Sequence, residues 1–132
     1  MTILTTSRRP SQELRTFARD LAFALGCEHI NRGKTGLRDL WTLDPVILFI
    51  EKQQEEIVIR IQEDELVAGE IRLSGCSVKT REGKIRKGVF VSDQSVYDLV
   101  NRYVPVTMVE GLQDGITFDG RQRRLYRCEL QT

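Results

Sequence analysis

Apolar residues recur at steps of three and four behind a short β-rich run at residues 2–6. The stripe consists of Leu14, Phe17, Ala18, Leu21, Ala22 and Leu25. This spacing, with Gly26 behind it, predicts an amphipathic helix that ends at a glycine. Pro10 suits the first helical position, which would place Arg9 at the N-cap and Gln12 at N3. Arginine caps a helix worse than Ser, Asp or Asn by about 1 kcal/mol, so the sequence breaks a local rule where an anion site would form.

The middle of the chain reads mainly as strands. "CEHINRGKTGLRDLWTL", residues 27–43, predicts a short extended piece, a glycine-containing loop and one to two helical turns. Residues 45–52, "PVILFIEK", form a continuous apolar run typical of a buried strand, and "EEIVIRIQE" at 55–63 alternates as a strand does. Residues 70–93 predict two strands folded into a hairpin about Glu82 and Gly83.

The last third combines one helix with three strands. Asp93 can cap a helix that carries Val96, Leu99, Val100 and Tyr103 and closes before Pro105. The runs "VTMVE", "GITF" and "RRLYRCELQ" follow as strands, with turns at Asp114-Gly115 and Asp119-Gly120. Seven or eight short strands interleaved with helices predict an α/β fold, a mixed β-sheet with packed helices. The length of 132 residues fits one domain.

Charge is segregated along the chain although its formal sum is only +1. Residues 1–40 hold 7 basic and 4 acidic residues, residues 41–70 hold 2 and 8, and residues 71–91 hold 6 and 1. Such blocks allow a basic face and an acidic face in one near-neutral protein. The total therefore does not exclude RNA as a partner.

Cysteine usage and hydropathy point to the inside of a cell. Cys27, Cys76 and Cys128 are odd in number, far apart and without a CxxC pair, so we expect three reduced thiols. No apolar stretch approaches the ~18 residues of a membrane span, and the first residues lack the apolar run of a signal peptide. We expect a soluble, cytoplasmic protein without a membrane partner.

Three apparent catalytic or cofactor motifs fail on inspection. "NRGKTG" ends like a phosphate-binding loop, but the position that requires the first glycine is Glu28, and a carboxylate there would repel nucleotide phosphates. Cys27 and His29 could form a dyad, yet Cys27 lies after a helix end rather than at a helix start, where its pKa would fall. The Cys and His residues lack the spacing of a zinc site. The acidic residues of the segment 55–70 alternate with isoleucines, which favours a solvated strand face over a catalytic carboxylate pair or a magnesium site. We expect no enzyme activity, no nucleotide cofactor and no metal.

Basic residues offer the better lead. Arg8, Arg9, Arg15 and Arg19 gather around the first helix, and Arg32, Lys34 and Arg38 can join them from the next loop. A helix start flanked by guanidinium groups suits nucleic-acid phosphates, although a merely solvated basic face remains an alternative. The predicted hairpin carries a second group at residues 79–87, which could enter an RNA groove or be an ordinary charged turn. The patterns predict core positions rather than base recognition for the aromatic residues Trp41, Phe90, Tyr97, Tyr103 and Tyr126.

Two linked motifs carry a resemblance. "LTTSRRPSQELRTFARDLAFAL" at residues 4–25 and "INRGKTGLRDL" at residues 30–40 resemble the Brix domain family of ribosome-biogenesis proteins. "RRLYRCELQT" at residues 123–132 is similar to the closing strand of those domains. The middle departs from the family, since "KQQEEIVI" at residues 52–59 replaces a common Gly-Asn-Pro segment.

The resemblance implies a single Brix domain over residues 1–132, of the minimal archaeal type, with two similar lobes meeting near residues 65–75. Each lobe would resemble the anticodon-binding domain of class II aminoacyl-tRNA synthetases. It further implies a non-enzymatic, cytoplasmic factor in rRNA processing or subunit assembly, with rRNA or pre-rRNA and ribosomal or assembly proteins as partners. A protein-interaction module of the same pathway, with only incidental RNA contact, is the alternative.

The resemblance also implies the RNA-facing residues. They are Ser7, Arg8, Arg9, Ser11, Arg15, Asn31, Arg32, Gly33 and Lys34. Ser7 and Asn31 could instead hydrogen-bond the turn backbone, and Asn31 and Gly33 could serve left-handed torsions.

Overall fold

A computed structural model describes residues 2–31, 33, 36–111 and 115–131, with Leu37 described by its backbone alone. The helices are α1 (Gln12–Leu25), α2 (Leu37–Leu43) and α3 (Gln94–Val100). The strands are β1 (Thr2–Thr6), β2 (Glu28–His29), β3 (Val46–Gln53), β4 (Glu56–Glu63), β5 (Leu66–Thr80), β6 (Val89–Val91), β7 (Thr107–Met108), β8 (Ile116–Asp119) and β9 (Arg124–Leu130). Within those ranges, no helix combines the length and apolar character that crossing a membrane requires.

All nine strands join one mixed sheet in the order β2-β1-β3-β4-β5-β9-β8-β6-β7. β1 runs parallel to β2 and β3, β6 runs parallel to β7, and the remaining neighbours are antiparallel. The predicted α/β class with a mixed sheet is confirmed, although the strand count exceeds the seven or eight that we expected.

The main core lies between α1 and one face of this sheet. Leu14, Phe17 and Leu21 are buried on the predicted helical stripe. The ring of Phe17 meets Phe118 of β8 and Tyr126 of β9 edge-on, at centroid distances of 5.7 and 5.6 Å. α1 therefore fixes the first quarter of the chain against the last strands.

A smaller core covers the opposite face of β3. Ile47 and Phe49 pack with Leu40 of α2, whereas the alternate residues Leu48 and Ile50 face the main core. Successive strand residues point to opposite faces, so α1 and α2 lie on different sides of the sheet. We call the α1 side the inner face and the α2 side the outer face.

The predicted hairpin about Glu82 and Gly83 is wrong. β5 pairs with β4 along its first half and with β9 along its second, while β6 pairs with β7 and β8. The inner row of side chains runs from Val78 of β5 through Tyr126 and Phe118 to Val89 of β6. β9 and β8 thus separate the two predicted partners, and residues 81–88 form a connection across the sheet end.

The predicted N-cap is also wrong, because Ser11 and not Arg9 caps α1. The Ser11 hydroxyl accepts a hydrogen bond from the Leu14 N–H at 3.2 Å, which satisfies one of the free donors of the first turn. Arg9 lies upstream with φ +55°, a left-handed conformation that few non-glycine residues adopt.

The cysteine prediction fails for two of three residues. Cys76 and Cys128 lie directly opposite each other on β5 and β9, with 4.1 Å between their Cα atoms, and form a disulfide. Their separation of 52 residues hides this neighbourhood from a reading of the sequence. Cys27 is a free, half-buried thiol.

β5 occupies the middle of the strand order. β2, β1, β3 and β4 lie on one side of it and β9, β8, β6 and β7 on the other. The division into two similar lobes meeting near residues 65–75 stays a prediction.

Candidate nucleic-acid interface

The two predicted RNA-facing segments leave the sheet at the same edge. The Ile30 N–H donates to the Leu4 carbonyl at 2.9 Å, and the Thr5 hydroxyl donates to the Ile30 carbonyl at 2.8 Å. Because β1 and β2 are parallel, the chain continues from both strands past their shared carboxyl edge. α1 and α2 then turn to opposite faces, and crevices at such switch points are where α/β sheets bind ligands.

The nine predicted site residues have different roles. Two hold the backbone: the Ser7 N–H donates to the Ile50 carbonyl at 3.0 Å, and Ser11 caps α1. Arg8, Arg9 and Arg15 are exposed to solvent. Asn31 and Gly33 are also exposed, and Gly33 has φ +48°. Arg32 and Lys34 lie outside the described residues.

Arg15, Arg19 and Phe23 follow one another at four-residue steps on α1, so they form a single stripe on the helix. Lys87 Nζ lies 5.4 Å and the Arg121 guanidinium carbon 5.9 Å from the Phe23 ring centroid. Both distances allow a cation–π contact. We call these five residues the α1 strip. In the described ranges, no ion pair engages its four cations, nor Arg8 or Arg9.

A buried carboxylate holds the Arg121 end of this strip in place. Asp20 is fully buried and accepts hydrogen bonds from the Arg121 N–H at 3.0 Å, from Arg124 Nε at 2.6 Å and from the Tyr126 hydroxyl at 2.5 Å. Burial alone would raise the pKa of Asp20, but these donors outweigh it and hold that pKa below its ordinary value. Arg124 is consequently used in the fold, whereas Arg121 remains available beside α1.

Sequence reasoning missed three members of the strip. Phe23 lies outside the predicted helical stripe, Lys87 belongs to the predicted hairpin, and Arg121 belongs to the run Arg121-Gln122-Arg123-Arg124, which no motif includes. The run itself was a detectable signal, because it concentrates three cations in a turn between two strands.

The catalytic alternatives receive no support from the site chemistry. Burial raises the pKa of the Cys27 thiol to about 11, so little thiolate forms at neutral pH. Burial, followed by the nearby charge of Arg19, lowers the pKa of His29. In the part of the chain that the structure describes, no three His, Cys, Asp or Glu residues gather as metal ligands do.

A cavity beside α1 does not suit a polyanion. It measures about 570 Å³ and lies beside the first turns of α1, with Leu14 and Leu73 in its lining. Its charged lining consists of Glu13, Glu55, Lys52 and Arg124, and Arg124 is already bound by the Asp20 carboxylate. Two carboxylates in so open a space oppose phosphate binding.

Part of the acidic segment lies on the outer face of the sheet, opposite to α1. Arg60 of β4 pairs with Glu51 at 2.8 Å and with Glu70 at 3.4 Å. At the β4–β5 turn Asp64 and Glu65 are exposed and share a cavity with Leu43, which is 58% exposed. Leu66, the next residue in the chain, is 73% exposed. We call Leu43, Asp64, Glu65 and Leu66 the acidic-apolar patch.

A short sequence match connects the chain with a known protein. It is 53% identical over 38 residues to the "Probable Brix domain-containing ribosomal biogenesis protein" of Methanothermobacter thermautotrophicus. The match covers 29% of this chain and about a quarter, 24%, of the relative. No protein-family model matches the chain.

The fold likeness extends over almost the whole chain. Mil, an archaeal Imp4-like protein, superposes with a TM-score of 0.69 and 20% identity, covering 98% of this chain and 97% of its own. A probable ribosomal biogenesis protein from Aeropyrum pernix K1 gives a TM-score of 0.68 and 19% identity, with 99% and 95% covered. The short sequence match and the shared fold confirm the predicted resemblance: this chain is similar in one segment to a Brix domain-containing ribosomal biogenesis protein, and it shares its fold with an archaeal Imp4-like protein.

Proposed function

We propose that this chain is a non-enzymatic ribosome biogenesis factor that binds structured rRNA or pre-rRNA and assists rRNA processing or subunit assembly in the cytoplasm. The observation that carries the proposal is the α1 strip, whose four cations have no carboxylate partner among the described residues. Arg8 and Arg9 extend this charge to the carboxyl edge of β1.

The chemistry of the surface favours the phosphate backbone over the bases. Guanidinium and ammonium groups contact phosphate oxygens irrespective of sequence, and each contact releases condensed counterions. Double-stranded RNA is recognised mainly by its shape and backbone, and a firm helix carrying spaced cations matches that requirement. Phe23 lies under Lys87 and Arg121, so it serves the strip by holding these side chains close to α1.

Salt-dependent binding to a structured rRNA fragment tests the proposal. Replacing Arg8, Arg9, Arg15 and Arg19 with Glu should abolish binding, and for the wild-type chain log K should fall steeply with log salt. All four side chains are exposed, so the melting temperature should hardly change. Unaltered affinity in the fourfold variant would contradict the proposal.

Arg102 provides a matched control. It is exposed and lines a cavity with Thr2 and Val46, at the opposite end of β1 and β3 from Ser7. Arg102→Glu changes the net charge by the same amount as Arg19→Glu. A large loss with Arg19→Glu and a small one with Arg102→Glu would locate the contact at the α1 strip, whereas equal losses would indicate a nonspecific charge effect.

The second candidate function, a protein-interaction module, is favoured by the acidic-apolar patch. Leucines as exposed as Leu43 and Leu66 beside two carboxylates fit a basic, partly apolar peptide of a ribosomal protein. A pull-down from nuclease-treated lysate of an organism with Brix-type proteins separates the two functions. If ribosomal proteins are recovered from the treated lysate and this recovery is lost in Leu66→Lys, the protein-interaction module is supported. If they are recovered only from untreated lysate, in which RNA is intact, the first proposal is supported.

A further inference from the structure

A second cationic site lies on the face of the sheet opposite to α1. In the sheet register, Phe90 of β6 lies beside Thr117 of β8, which lies beside Arg127 of β9. Their neighbours Phe118 and Tyr126 point into the main core, so this row belongs to the outer face. A groove of about 390 Å³ opens over the row.

The connection 81–88 builds the other wall of this groove. Arg81, Lys84 and Arg86 line it together with Arg127, against the two carboxylates of Glu82 and Asp119. Asp119 is buried and accepts a hydrogen bond from the Arg86 N–H at 2.7 Å, so its charge helps to fix the connection. We call this site the outer groove. Four basic side chains and two carboxylates line it, so its net charge is positive.

Two buried polar atoms of the outer-groove residues have no partner. Arg81 Nε and Thr117 Oγ1 are shielded from solvent and make no hydrogen bond within the described chain. A buried donor without an acceptor destabilises a protein, and one explanation for such an atom is that another molecule supplies the acceptor. Lys84 and Arg127 are likewise outside every ion pair of the described residues. Lys84 and Arg127 are exposed and can contact an anion directly, whereas Arg81 Nε and Thr117 Oγ1 would gain an acceptor only when a bound anion shifts the atoms that cover them.

A stacking platform lies in the same groove. The Arg86 guanidinium lies over the Phe90 ring, 4.3 Å from its centroid. Unpaired RNA bases stack on aromatic rings and on guanidinium planes. A free phosphate or an acidic peptide would leave this platform unused, which favours a nucleotide.

We propose that the outer groove binds an unpaired RNA segment, with a phosphodiester held by Arg81, Thr117 and Arg127 and a base stacked at Arg86 and Phe90. This inference rests on the proposed function. It adds a second RNA site of a different kind, since the α1 strip contacts structured RNA and the outer groove takes a single strand.

The two sites meet at the connection 81–88. Arg86 contacts Phe90 on the outer face, and the next residue, Lys87, contacts Phe23 of α1 on the inner side. One RNA molecule can therefore place a helix on the α1 strip and pass its unpaired continuation around the sheet end into the outer groove.

The test uses two RNA probes on the full chain. The first is a single-stranded oligonucleotide of about eight nucleotides and the second is a structured rRNA fragment without unpaired ends. Arg127→Gln and Thr117→Val should each lower the affinity for the oligonucleotide roughly tenfold or more. The affinity for the structured fragment should stay within about twofold of the wild-type value. Thr117→Ser, which keeps the hydroxyl, should restore binding, and Ser77→Ala, next to Arg127 on β5, should have no effect.

The outcomes separate the inference from the proposed function. If Arg19→Glu abolishes binding of the structured probe while Thr117→Val and Arg127→Gln leave the oligonucleotide unaffected, the proposed function stands and the outer groove is refuted. If no variant affects either probe, both fail. A polyglutamate peptide that competes as well as RNA for the groove would also overturn the inference. Unchanged melting temperatures show that the losses are not caused by unfolding.

Discussion

The carboxylate of Asp20 in α1 lies 2.6 Å from Nε of Arg124 in β9, although 104 residues separate them in the chain. Arg124 Nη2 donates to the other oxygen of Asp20 at 3.1 Å, so the contact is bidentate. This pair joins the first helix to the last strand and positions the turn that carries Arg121. The stability of the fold and the shape of the α1 strip therefore depend on the same carboxylate.

Asp20→Asn should strongly destabilise the chain. The amide keeps the size of the side chain but loses the charge that holds Arg124 and would turn an NH₂ group toward donors. We expect a loss of about 3 kcal/mol in the free energy of unfolding, measured by urea denaturation. Asp98→Asn at an exposed position of α3 is the control and should change it by less than about 0.5 kcal/mol. Equal midpoints for the two variants would refute this role of Asp20.

The same carboxylate should make stability depend on pH at the acid end. Burial acts to raise the pKa of Asp20, yet the donors from Arg124, Tyr126 and Arg121 leave it lower in the folded than in the unfolded chain. A lowered folded pKa stabilises the protein above the unfolded value, and this contribution is lost as pH falls below about 4. The gap in unfolding free energy between wild type and Asp20→Asn should stay constant from about pH 7 to 5 and narrow below about pH 4. A gap that widens in acid would contradict the assignment.

Gly120 packs directly against this carboxylate. A Cβ atom at Gly120 would lie 2.5 Å from Cγ and 2.7 Å from Cβ of Asp20, which is held on several sides and cannot yield easily. Gly120→Ala should lower the free energy of unfolding by about 2 kcal/mol. Gly75→Ala on β5, where an added Cβ meets nothing within 4 Å, should have little effect. Thermal unfolding of both variants checks this, and equal melting temperatures would refute it.

Arg9 allows charge and backbone strain to be separated. Glycine adopts φ +55° without steric strain, whereas alanine is strained there by its Cβ atom. Arg9→Gly should therefore be more stable than Arg9→Ala by about 1 kcal/mol, while both lose the same share of rRNA affinity. Urea denaturation and binding measured at matched salt give the two readouts. If Arg9→Ala loses more RNA affinity than Arg9→Gly, in step with its lower stability, Arg9 acts through the conformation of the segment between β1 and α1 and not through its charge.

The disulfide predicts a thiol count. Protein unfolded in denaturant without reductant should show one reactive thiol, that of Cys27, and three after reduction. Replacing Cys76 and Cys128 with Ser should cost about 2–4 kcal/mol of stability relative to the oxidised chain. Three thiols before reduction would show that the pair is reduced in solution.

Local sequence patterns predicted much of the fold because their causes are local. The stripe from Leu14 to Leu25, the alternation in β4 and the Asp93 cap of α3 each depend on neighbours in sequence, and all appear in the structure. The hairpin failed because an alternating strand does not specify its partner. By its own pattern β5 could pair with β6 or with β9, and the register that places Val78 opposite Tyr126 is set by the whole sheet.

The candidate site divides in the same way. Arg8, Arg9 and Arg15 were found from charge and resemblance, and their exposure is a local matter. Lys87 and Arg121 reach α1 only because residues 81–88 cross the sheet end and Asp20 fixes the turn after Gly120. Long-range topology decides such meetings, so a single sequence could not reveal them.

β9 follows the other eight strands in the chain yet lies between β5 and β8 within the sheet. During translation, β5 and β8 therefore each emerge from the ribosome with one edge open, and neither can pair along that edge until residues 124–130 have been synthesised. Open strand edges can pair with other chains. Nascent copies on neighbouring ribosomes are therefore prone to aggregate through these edges unless they are kept apart or bound by chaperones. β9, the last of the strands that the structure describes, is thus the one that joins the two sides of the sheet.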